Sequence, residues 1–512
     1  MDQEQEQENE LSASASASDD ESITYHCGPR TPYGYRDPVV DCHYLSPTTL
    51  LQLSHSNPDV AGLNLHARDW IQGAGRAIGE STVLQFVHIS FRGEWENEWV
   101  IEFFQGLSLN QTIELFSLCS YSSVWDLNQI LTPFLKNNHN LRCLELTNIR
   151  TPNTLSSLVS ALSQCHHCQL EKIIAQDITG TDVQHADFID FLNGHIGSLL
   201  ELCLYDNQYG ILGCTSLAKL LNNPASKIEN LKLGNNNLDH DCTAILRDAL
   251  STASTLKELL MWGPDLFQSD VSGRNTFLPF LSYPMCKLEH LSIGWDSLGD
   301  AGLQCLGNAL ADNKSLKFLR IDKDVSMTSA GWHGFSRCLR NPDTVLEALD
   351  IRGCKIDGEG AVSIFSALTE NATLQELQMF LFHVIAGRAY NVLSNVLLDK
   401  SCIDNTFNSN HTLCELPLFP EKIRQILKMN RNESKVEVAR KKIMEYHFPE
   451  GNRNIHQVFA RMPETSLPFA IEWIGRNRDG RTLMYNFAQE FPTLFDKRST
   501  TNVNKRKHQM IC

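Results

Sequence analysis

The chain has no apolar run close to the roughly eighteen residues that a membrane-spanning helix needs. Residues 1 to 21 are acidic and rich in Gln, where a secretory signal would be basic and then apolar. No basic stripe of the kind that binds nucleic-acid phosphates occurs within the central part of the sequence, between residues 84 and 379. We therefore expect a cytoplasmic protein whose main partner is neither a membrane nor a nucleic acid.

The motifs of common enzymes and nucleotide-binding proteins are also missing. No phosphate-binding loop ending in Gly-Lys-Ser or Gly-Lys-Thr occurs, and no Gly-x-Ser-x-Gly nucleophile motif stands out. The glycines Gly73, Gly75 and Gly79 miss the dinucleotide-binding spacing, because the third comes one residue late. We therefore predict no catalytic residues, no cofactor and no small-molecule substrate.

Metal binding is not indicated either, although Cys-His-His-Cys occurs at 165 to 168. Four consecutive residues cannot all reach one tetrahedral ion, and no second cluster follows at zinc-site spacing. The 16 cysteines are spread along the chain, and many, such as Cys305 and Cys338, fall at apolar positions. We predict that they are free thiols, because small buried cysteines are typical of a reducing compartment.

What the chain does have is a repeated phrase. It has an aliphatic residue at position one, an aliphatic or aromatic residue at position four and a third such residue at position six. The clearest copy has Ile228, Leu231 and Leu233 at these positions, followed by Asn236 and Leu238. Copies start 28 to 32 residues apart, and a steady period of this length indicates a repeat architecture. The first residues of the copies are Leu84, Ile113, Leu141, Leu170, Leu199, Ile228, Leu256, Leu288, Leu316, Leu346 and Leu374.

Each phrase predicts a short strand whose third and fifth residues face one side and whose fourth and sixth face the other. The fourth and sixth are apolar throughout, so that side is buried. Helical spacing follows each phrase, as at Leu303, Leu306 and Leu310, and supplies a second apolar face. When copies stack, each covers the apolar faces of its neighbour. The stack curves because the strand side of each copy is narrower than the helix side. We predict an α/β solenoid with parallel strands on its concave side and helices on its convex side.

The phrases LKLGNNNL at 231 to 238 and LEALDIRGCKI at 346 to 356 resemble those of leucine-rich repeat proteins of the ribonuclease-inhibitor subtype. The resemblance covers roughly three hundred of the 512 residues. Members of this subtype include an inhibitor that wraps a ribonuclease, sensor modules of innate-immunity receptors and the Ran GTPase-activating protein. Position nine, where the family's asparagine bonds the turn backbone, is Pro264, Cys354 and Phe382 in three copies, which departs from the family's pattern.

Composition divides the chain into five segments. Residues 1 to 21 contain eight acids and no base, and we predict a disordered acidic tail there. We predict an N-terminal cap with a degenerate first copy (Val60, Leu63 and Leu65) over 22 to 83, and leucine-rich repeats over 84 to 418. Short amphipathic helices over 419 to 496 are interpreted as a C-terminal cap, with an independent helical module as the alternative. Residues 497 to 512 form a basic tail.

Five Asn-x-Ser/Thr triplets could be glycosylation acceptors. Four of them, at Asn110, Asn313, Asn371 and Asn410, come directly before the first aliphatic residue of a strand. The fifth, at Asn432, lies between two predicted helices. We interpret all five as turn residues, because Asn favours tight turns.

The concave face is where periodicity places a candidate binding site. Positions three, five and seven project there, and from the fifth copy onward they carry large aromatic and charged residues. Aromatic and Arg side chains are typical of binding hot spots, although exposed aromatics can also satisfy strand propensity alone. The predicted partner-binding residues are Tyr205, Trp262, Phe318, Arg320 and Arg352, with Trp295 at the rim.

These features predict a non-catalytic protein-protein interaction scaffold that binds a protein partner on its concave strands. The alternative, which the resemblance allows, is a regulator of a bound GTPase that resembles a GTPase-activating protein. That role needs residues that steer the partner's catalytic centre, and Arg320 and Arg352 are its candidates.

Overall fold

A computed structural model describes residues 39–42, 62–67, 73–91, 95–120 and most of 126–447. The gaps in the last range are 152, 166–168, 196, 237, 264–276, 295–297, 323–324, 381–386, 418 and 432–433, and positions 471, 474, 484 and 487–488 are also described. The predicted tails, Trp295, Asn432, Pro264, Phe382 and three residues of the Cys-His-His-Cys cluster lie outside the described residues.

Thirteen parallel strands of the described chain form one sheet in which each strand pairs with the next one along the sequence. The sheet is not closed, because the first and last strands do not pair. The strands are β1 (Val39–Cys42), β2 (Gly62–Ala67), β3 (Phe86–Phe91), β4 (Leu115–Ser120), β5 (Cys143–Thr147), β6 (Lys172–Gln176), β7 (Glu201–Cys203), β8 (Asn230–Gly234), β9 (Glu258–Trp262), β10 (His290–Gly294), β11 (Phe318–Asp322), β12 (Ala348–Asp350) and β13 (Glu376–Gln378).

Helices alternate with these strands from β2 onward, so the predicted α/β solenoid is confirmed. Between β9 and β10 the described helix is a 3-10 turn, Leu278–Ser282. The α-helices are α1 (Ala74–Glu80), α2 (Asn97–Leu107), α3 (Leu127–Asn137), α4 (Thr154–Ser163), α5 (Asp182–His195), α6 (Ile211–Asn222), α7 (His240–Leu250), α8 (Gly299–Asp312), α9 (Ser329–Arg340), α10 (Gly358–Ala367), α11 (Arg388–Leu397), α12 (Ile403–Phe407), α13 (Glu421–Met429) and α14 (Lys435–His447).

The fourth and sixth residues of each phrase form the core between strands and helices. Leu231 lies beside Leu259 in the sheet, and Leu259 lies beside Leu291. All three side chains are buried, and they belong to one apolar core that runs from Leu63 to Leu427. The continuous core is what makes each copy depend on its neighbours.

Asn and Asp residues stabilise the turn that follows each strand in the middle of the solenoid. Asn236 donates through Nδ2 to the carbonyl of Leu204 over 2.6 Å, and its Oδ1 accepts from the amide of Asn207 over 2.8 Å. Where position nine is Cys354, the thiol makes a comparable contact, 3.3 Å to the carbonyl of Ile321. Position eight takes a left-handed backbone conformation, which Asn and Asp tolerate, at Asn148, Asp177, Asp206 and Asn235.

The turn before each strand uses the asparagines of the Asn-x-Ser/Thr triplets. Asn371 donates through Nδ2 to the carbonyl of Leu339 over 2.8 Å, and its Oδ1 accepts from the amides of Thr373 and Leu374. Asn110, Asn313 and Asn410 repeat this arrangement. The turn interpretation of these four triplets is therefore confirmed.

The two ends of the described sheet differ from the expected repeat. Strand β1 was not predicted from the sequence, whereas the degenerate copy around Leu63 is strand β2. After β13, Glu415 forms an isolated bridge with Glu376. Helix α13 then buries Ile423, Ile426 and Leu427 in the common core. The interpretation of 419 to 496 as a cap stays a prediction, because most residues after His447 lie outside the described part.

Candidate protein-interaction face

Four of the predicted anchors lie on three strands of the sheet or directly beside them. Trp262 ends β9, Phe318 and Arg320 belong to β11, and Arg352 follows β12 two residues after Asp350. Tyr205 follows β7. The strand register places position seven of each copy beside position seven of the next, as with Gly234, Trp262 and Gly294.

Tyr205 and Trp262 form an aromatic stack that reaches across an intervening strand. Their ring centroids are 4.9 Å apart and the ring planes differ by 19°. The strand between them carries Gly234, where a Cβ atom would lie 2.1 Å from Cε2 of the Trp262 indole. Glycine is therefore required at this position for the indole to lie flat over β8.

The stack changes the role of Tyr205 relative to the sequence prediction. Tyr205 is only 6% exposed, because the indole covers it, and it packs in a small concave cluster with Ile174 and Cys203. Leu260 and Trp262 pack against this cluster and stay half-buried. Tyr205 supports the orientation of Trp262, and Trp262 remains partly exposed.

A buried ion-pair triad borders the aromatic stack. Oε1 of Glu201 lies 3.0 Å from Nζ of Lys172 and 2.8 Å from Nζ of Lys232. Burial alone would raise the pKa of Glu201, but the two ammonium groups outweigh it, so its pKa falls below the ordinary value. The triad was not singled out from the sequence, although all three residues occupy concave positions three or five of consecutive copies.

A second group of charges lies on β11, at the end of β12 and directly after it. The Arg352 guanidinium contacts both carboxylate oxygens of the buried Asp350, at 2.9 and 2.7 Å. Arg320 binds Asp322 at 2.9 Å and lies 3.8 Å from Asp350. Each arginine side chain keeps 43% of its surface exposed. Both arginines are therefore already held by aspartates of this chain.

Between the aromatic stack and the arginines lie His290 and Phe318, with ring centroids 5.7 Å apart. His290 is exposed and Phe318 is half-buried. The resulting surface, which we name the concave patch, consists of Trp262, His290, Phe318, Arg320 and Arg352. Its apolar centre with a charged edge is the arrangement of protein-protein contact sites.

The earlier copies carry mostly smaller side chains on the concave side, both apolar and polar. Nδ1 of His88 lies 2.7 Å from the hydroxyl of Ser117, and Glu145 shares the same side of the sheet. Burial raises the pKa of the Glu145 carboxyl, while Ser117 and Lys172 act against that rise. Large aromatic groups are therefore concentrated in the later copies.

Within the described residues, no group of three His, Cys, Asp or Glu side chains could hold a metal ion. No helix in the same part of the chain is long and apolar enough to cross a membrane.

Comparisons with known proteins agree with this architecture, although no family model matches the sequence. The chain is 26% identical over 238 residues to "NACHT, LRR and PYD domains-containing protein 12" of Mus musculus, which covers 46% of the chain and 21% of that protein. It is 25% identical over 264 residues to the human "NACHT, LRR and PYD domains-containing protein 14", with 50% and 24% covered. It is 29% identical over 212 residues to the "Ribonuclease inhibitor" of Sus scrofa, with 41% and 45% covered.

The parallel repeat sheet and these similarities define the class as that of leucine-rich repeat proteins. Within the class, the chain is similar at modest identity to ribonuclease inhibitor and to the NACHT, LRR and PYD proteins. The chain spans less than half the length of each of these relatives.

Proposed function

We propose that the protein is a non-catalytic scaffold that binds another protein on the concave patch. The observation that carries the proposal is the partly exposed aromatic surface that Trp262 and Phe318 form on the strand side of the solenoid. Trp, Tyr and Arg are the residue types that dominate binding energy at protein interfaces, particularly where charged residues surround an apolar centre. The resemblance to a ribonuclease inhibitor, whose name denotes binding of another protein, supports the same proposal.

The proposal includes a cytoplasmic location and excludes a nucleic acid, a membrane and a small-molecule substrate as main partners. Free thiols at buried positions such as Cys214, Cys242 and Cys338 fit a reducing compartment. On the concave face, the ammonium groups of Lys172 and Lys232 are paired with Glu201, and the arginines of the patch are paired with aspartates. Paired cations provide little attraction for a phosphate backbone.

Regulation of a bound GTPase is the less favoured alternative. An arginine that enters a partner's catalytic centre must be able to leave its own contacts. Arg352 makes two hydrogen bonds to a buried aspartate, and its release would leave Asp350 without them. Arg320 also contacts two aspartates. The geometry thus favours a binding role for both arginines.

The first test replaces Trp262 by Ala. Affinity capture from cell extract with the full chain, followed by mass spectrometry, identifies the candidate partner, and its Kd is then measured for each variant. Loss of a central Trp anchor is expected to weaken binding about thirtyfold or more. Phe318→Ala is expected to weaken binding in the same direction.

The matched control is Trp99→Ala on helix α2, because Trp99 is also a partly exposed tryptophan but lies on the helical side. Circular dichroism and urea unfolding show whether each variant keeps its fold. The proposal is wrong if Trp262→Ala and Phe318→Ala stay folded and bind the captured partner as tightly as the original chain. Faster GTP hydrolysis by a panel of small GTPases would instead support the alternative.

A further inference from the structure

A group of exposed aliphatic side chains lies where two consecutive helices of the solenoid begin. Val183, Leu212 and Asp241 are the second residues of α5, α6 and α7, so they occupy the same place in three successive copies. Ile211 lies directly before Leu212, and the three aliphatic side chains are 47 to 54% exposed. A single exposed aliphatic residue is common on a protein surface, whereas several together often mark an interaction site.

The carboxylate of Asp182 holds the two helix starts together. It accepts hydrogen bonds from the amides of Gly210 and Leu212 over 2.9 and 3.0 Å. Because Val183 directly follows Asp182, its backbone is held close to that of Leu212. We name the surface formed by Val183, Ile211 and Leu212 the aliphatic patch.

The surroundings of the aliphatic patch are acidic. Residues 173 to 218 contain six Asp or Glu residues and no Lys or Arg, so no cation of this segment can neutralise them. Asp187 lies one helical turn after Val183 on α5, and Asp241 lies next in the row on α7; both are exposed. In the part of the chain that the structure describes, neither carboxylate has an ion-pair partner. The patch therefore combines apolar side chains with uncompensated negative charge.

The opposite charge is concentrated after the last strand of the described sheet. Residues 421 to 442 contain eight Lys or Arg residues and three acids, although the whole chain has a net charge of −16. Arg424 and Lys428 are four residues apart on α13, which places them on one face of the helix. The exposed cations of this region, which we name the basic face, are Lys422, Arg424, Lys428 and Arg431.

Two cations of the basic face are not neutralised by acids of the chain. Arg424 and Arg431 are paired with glutamates, whereas Lys422 and Lys428 have no ion pair among the described residues. Burial lowers the pKa of the neighbouring Lys400, and the positive charge of Lys422 acts in the same direction. Like charges that lie close together without an anion favour contact with an acidic surface.

From this complementarity we propose that the aliphatic patch of one copy of the chain binds the basic face of a second copy. Asp187 and Asp241 would meet the free ammonium groups of Lys422 and Lys428. Val436, which is 60% exposed at the start of α14, provides an apolar side chain beside the basic face. The contact uses no residue of the concave patch, so it does not depend on the proposed scaffold function.

The two surfaces of one chain are too far apart to bind each other. Helix α6 follows β7 and the basic face follows β13, and six intervals of about 4.8 Å separate these strands along the sheet. The continuous apolar core between them keeps this separation fixed. The contact must therefore form between two copies. Because the surfaces are small and charged, we expect weak association that salt reduces.

Sedimentation equilibrium of the full chain measures this association. At low salt, the mean mass is expected to rise from that of a monomer towards that of a dimer or larger assembly as the protein concentration rises. At high salt, the same concentrations are expected to give mainly monomer, because screening weakens the contact between opposite charges.

Charge reversal identifies the two surfaces. Asp187→Lys and Lys428→Glu are each expected to weaken association about tenfold, since each places like charges in contact. An equal mixture of the two variants is expected to associate more strongly than either alone. In the mixture, the unchanged Lys428 of one variant can bind the unchanged Asp187 of the other.

A third variant tests the apolar part of the contact. Leu212→Ala is expected to weaken association about fivefold, because less apolar surface is removed from water. Matched controls change the same residue types at exposed positions elsewhere, as Asp312→Lys, Lys287→Glu and Leu109→Ala. These controls are expected to associate like the original chain, and circular dichroism shows whether each variant keeps its fold.

Cross-linking identifies the residues in contact. A carbodiimide joins a carboxylate to an amine only where the two touch, and a mixture of ¹⁵N-labelled and unlabelled chains shows which cross-links connect two copies. Mass spectrometry is expected to find Lys422 or Lys428 joined to Asp187 or Asp241, with one peptide labelled and the other unlabelled.

Three results would overturn the proposal. The first is a chain that stays monomeric at every concentration and at low salt. The second is association that neither Asp187→Lys nor Lys428→Glu weakens, which would place the contact elsewhere. The third is that the basic face cross-links only to acids of residues 1 to 21, which would assign it to that segment. Each result leaves partner binding by the concave patch as a separate question.

Discussion

The position of Trp262 shows how one small residue shapes the proposed binding surface of this repeat protein. Equivalent positions of adjacent strands are in contact, so a large side chain at position seven normally meets another side chain on each neighbour. Here both neighbours are glycine, Gly234 and Gly294. The indole lies over Gly234 and stacks on Tyr205, two strands away. The proposed binding surface is thereby pre-organised, which would lower the entropic cost of binding a partner.

Replacement of Gly234 by Ala tests this arrangement. The new methyl group would lie 2.1 Å from the indole, so the ring must move away and uncover Tyr205. Such overpacking is expected to cost about 1 to 3 kcal/mol in the free energy of unfolding. Urea unfolding measures that loss, and a change in tryptophan fluorescence reports the displaced ring.

Gly194→Ala is the matched control, since its added Cβ meets no atom within 4 Å. In helix α5 this change is expected to be neutral or slightly stabilising, because Ala favours helix over Gly. Equal stability and an unchanged fluorescence spectrum for Gly234→Ala would contradict the stacking account.

The sequence predicted which residues share the concave face but not how they interact there. Period and position number assigned Tyr205, Trp262, Phe318 and Arg320 to one side of the sheet, because side chains alternate along a strand. The burial of Tyr205 depends on the empty space above Gly234, which no local pattern encodes. The pairing of the arginines depends likewise on which rotamers reach Asp350.

Among the elements, helix α14 has an unusual means of attachment. The side chain of Lys442 is fully buried, and its ammonium donates to the carbonyls of Leu397 and Asn410 at 2.8 and 2.9 Å. These carbonyls belong to the end of α11 and to the turn before the last extended segment. Burial lowers the pKa of Lys442 to about 7, so its charge is costly in the folded protein.

This burial makes the stability of the C-terminal helices depend on pH. In the unfolded chain Lys442 titrates near 10.5, and in the folded protein near 7. Between these values the unfolded state binds more protons, so the free energy of unfolding rises as pH rises from about 7 to about 10. Below about 7 this contribution is constant. His411, whose pKa is lowered to about 4, adds a similar rise at more acidic pH.

The variant Lys442→Met isolates the lysine contribution. Met fills a similar volume without a charge, so the variant is expected to be more stable at pH 7 by about 1 kcal/mol or more. Its unfolding free energy is expected to change less than that of the original chain between pH 7 and 10. Urea unfolding at several pH values checks both points, and hydrogen exchange in α14 locates the effect.

The control Lys441→Met changes an adjacent, exposed lysine and is expected to leave the pH profile unchanged. A steep rise of stability above pH 7 that persists in Lys442→Met would show that the buried ammonium is not its source.

The ends of the solenoid were harder to predict than its middle for the same physical reason. A central copy repeats a phrase, so eleven examples reinforce each other, whereas an end is encoded once. Strand β1 has four residues in a region rich in turn formers and carries no complete phrase. The short 3-10 turn at Leu278–Ser282 falls in the one interval of 32 residues, where the helical spacing is lost. In contrast, the asparagines before the strands were correctly predicted to be turn residues, because each comes directly before the first aliphatic residue of a strand.

On the scale of the whole molecule, the sheet is built from repeated units of the same kind, so each further unit lengthens the apolar core without widening it. Each strand of the described sheet pairs with the strands before and after it in the sequence, and the apolar core continues from Leu63 to Leu427. A solenoid of this kind is stabilised by interactions between adjacent copies. A destabilising substitution in one copy is therefore expected to affect mainly that copy and its neighbours. In a protein with a single compact core that unfolds cooperatively, the same substitution would destabilise all elements.

The variant Leu259→Ala introduces such a destabilising substitution in the middle of the repeats. Leu259 is fully buried between Leu231 and Leu291, so its truncation is expected to cost about 2 to 5 kcal/mol locally. Hydrogen exchange with mass spectrometry is expected to show faster exchange in β8, β9 and β10 and in α7 beside them. Exchange in β3 and β4 is expected to stay at the level of the original chain, because four or more strands lie between them and β9.

The neighbouring change Leu260→Ala provides the comparison, since Leu260 faces the concave side and is only half-buried. It should cost less and leave the exchange of α7 unchanged, because only the apolar side of the strand touches the helices. Uniformly faster exchange from β3 to β13 in Leu259→Ala would mean that the chain unfolds as one unit. In that case the concave patch would depend on every copy, and a distant core substitution would be expected to weaken the proposed partner binding, as Trp262→Ala is expected to do.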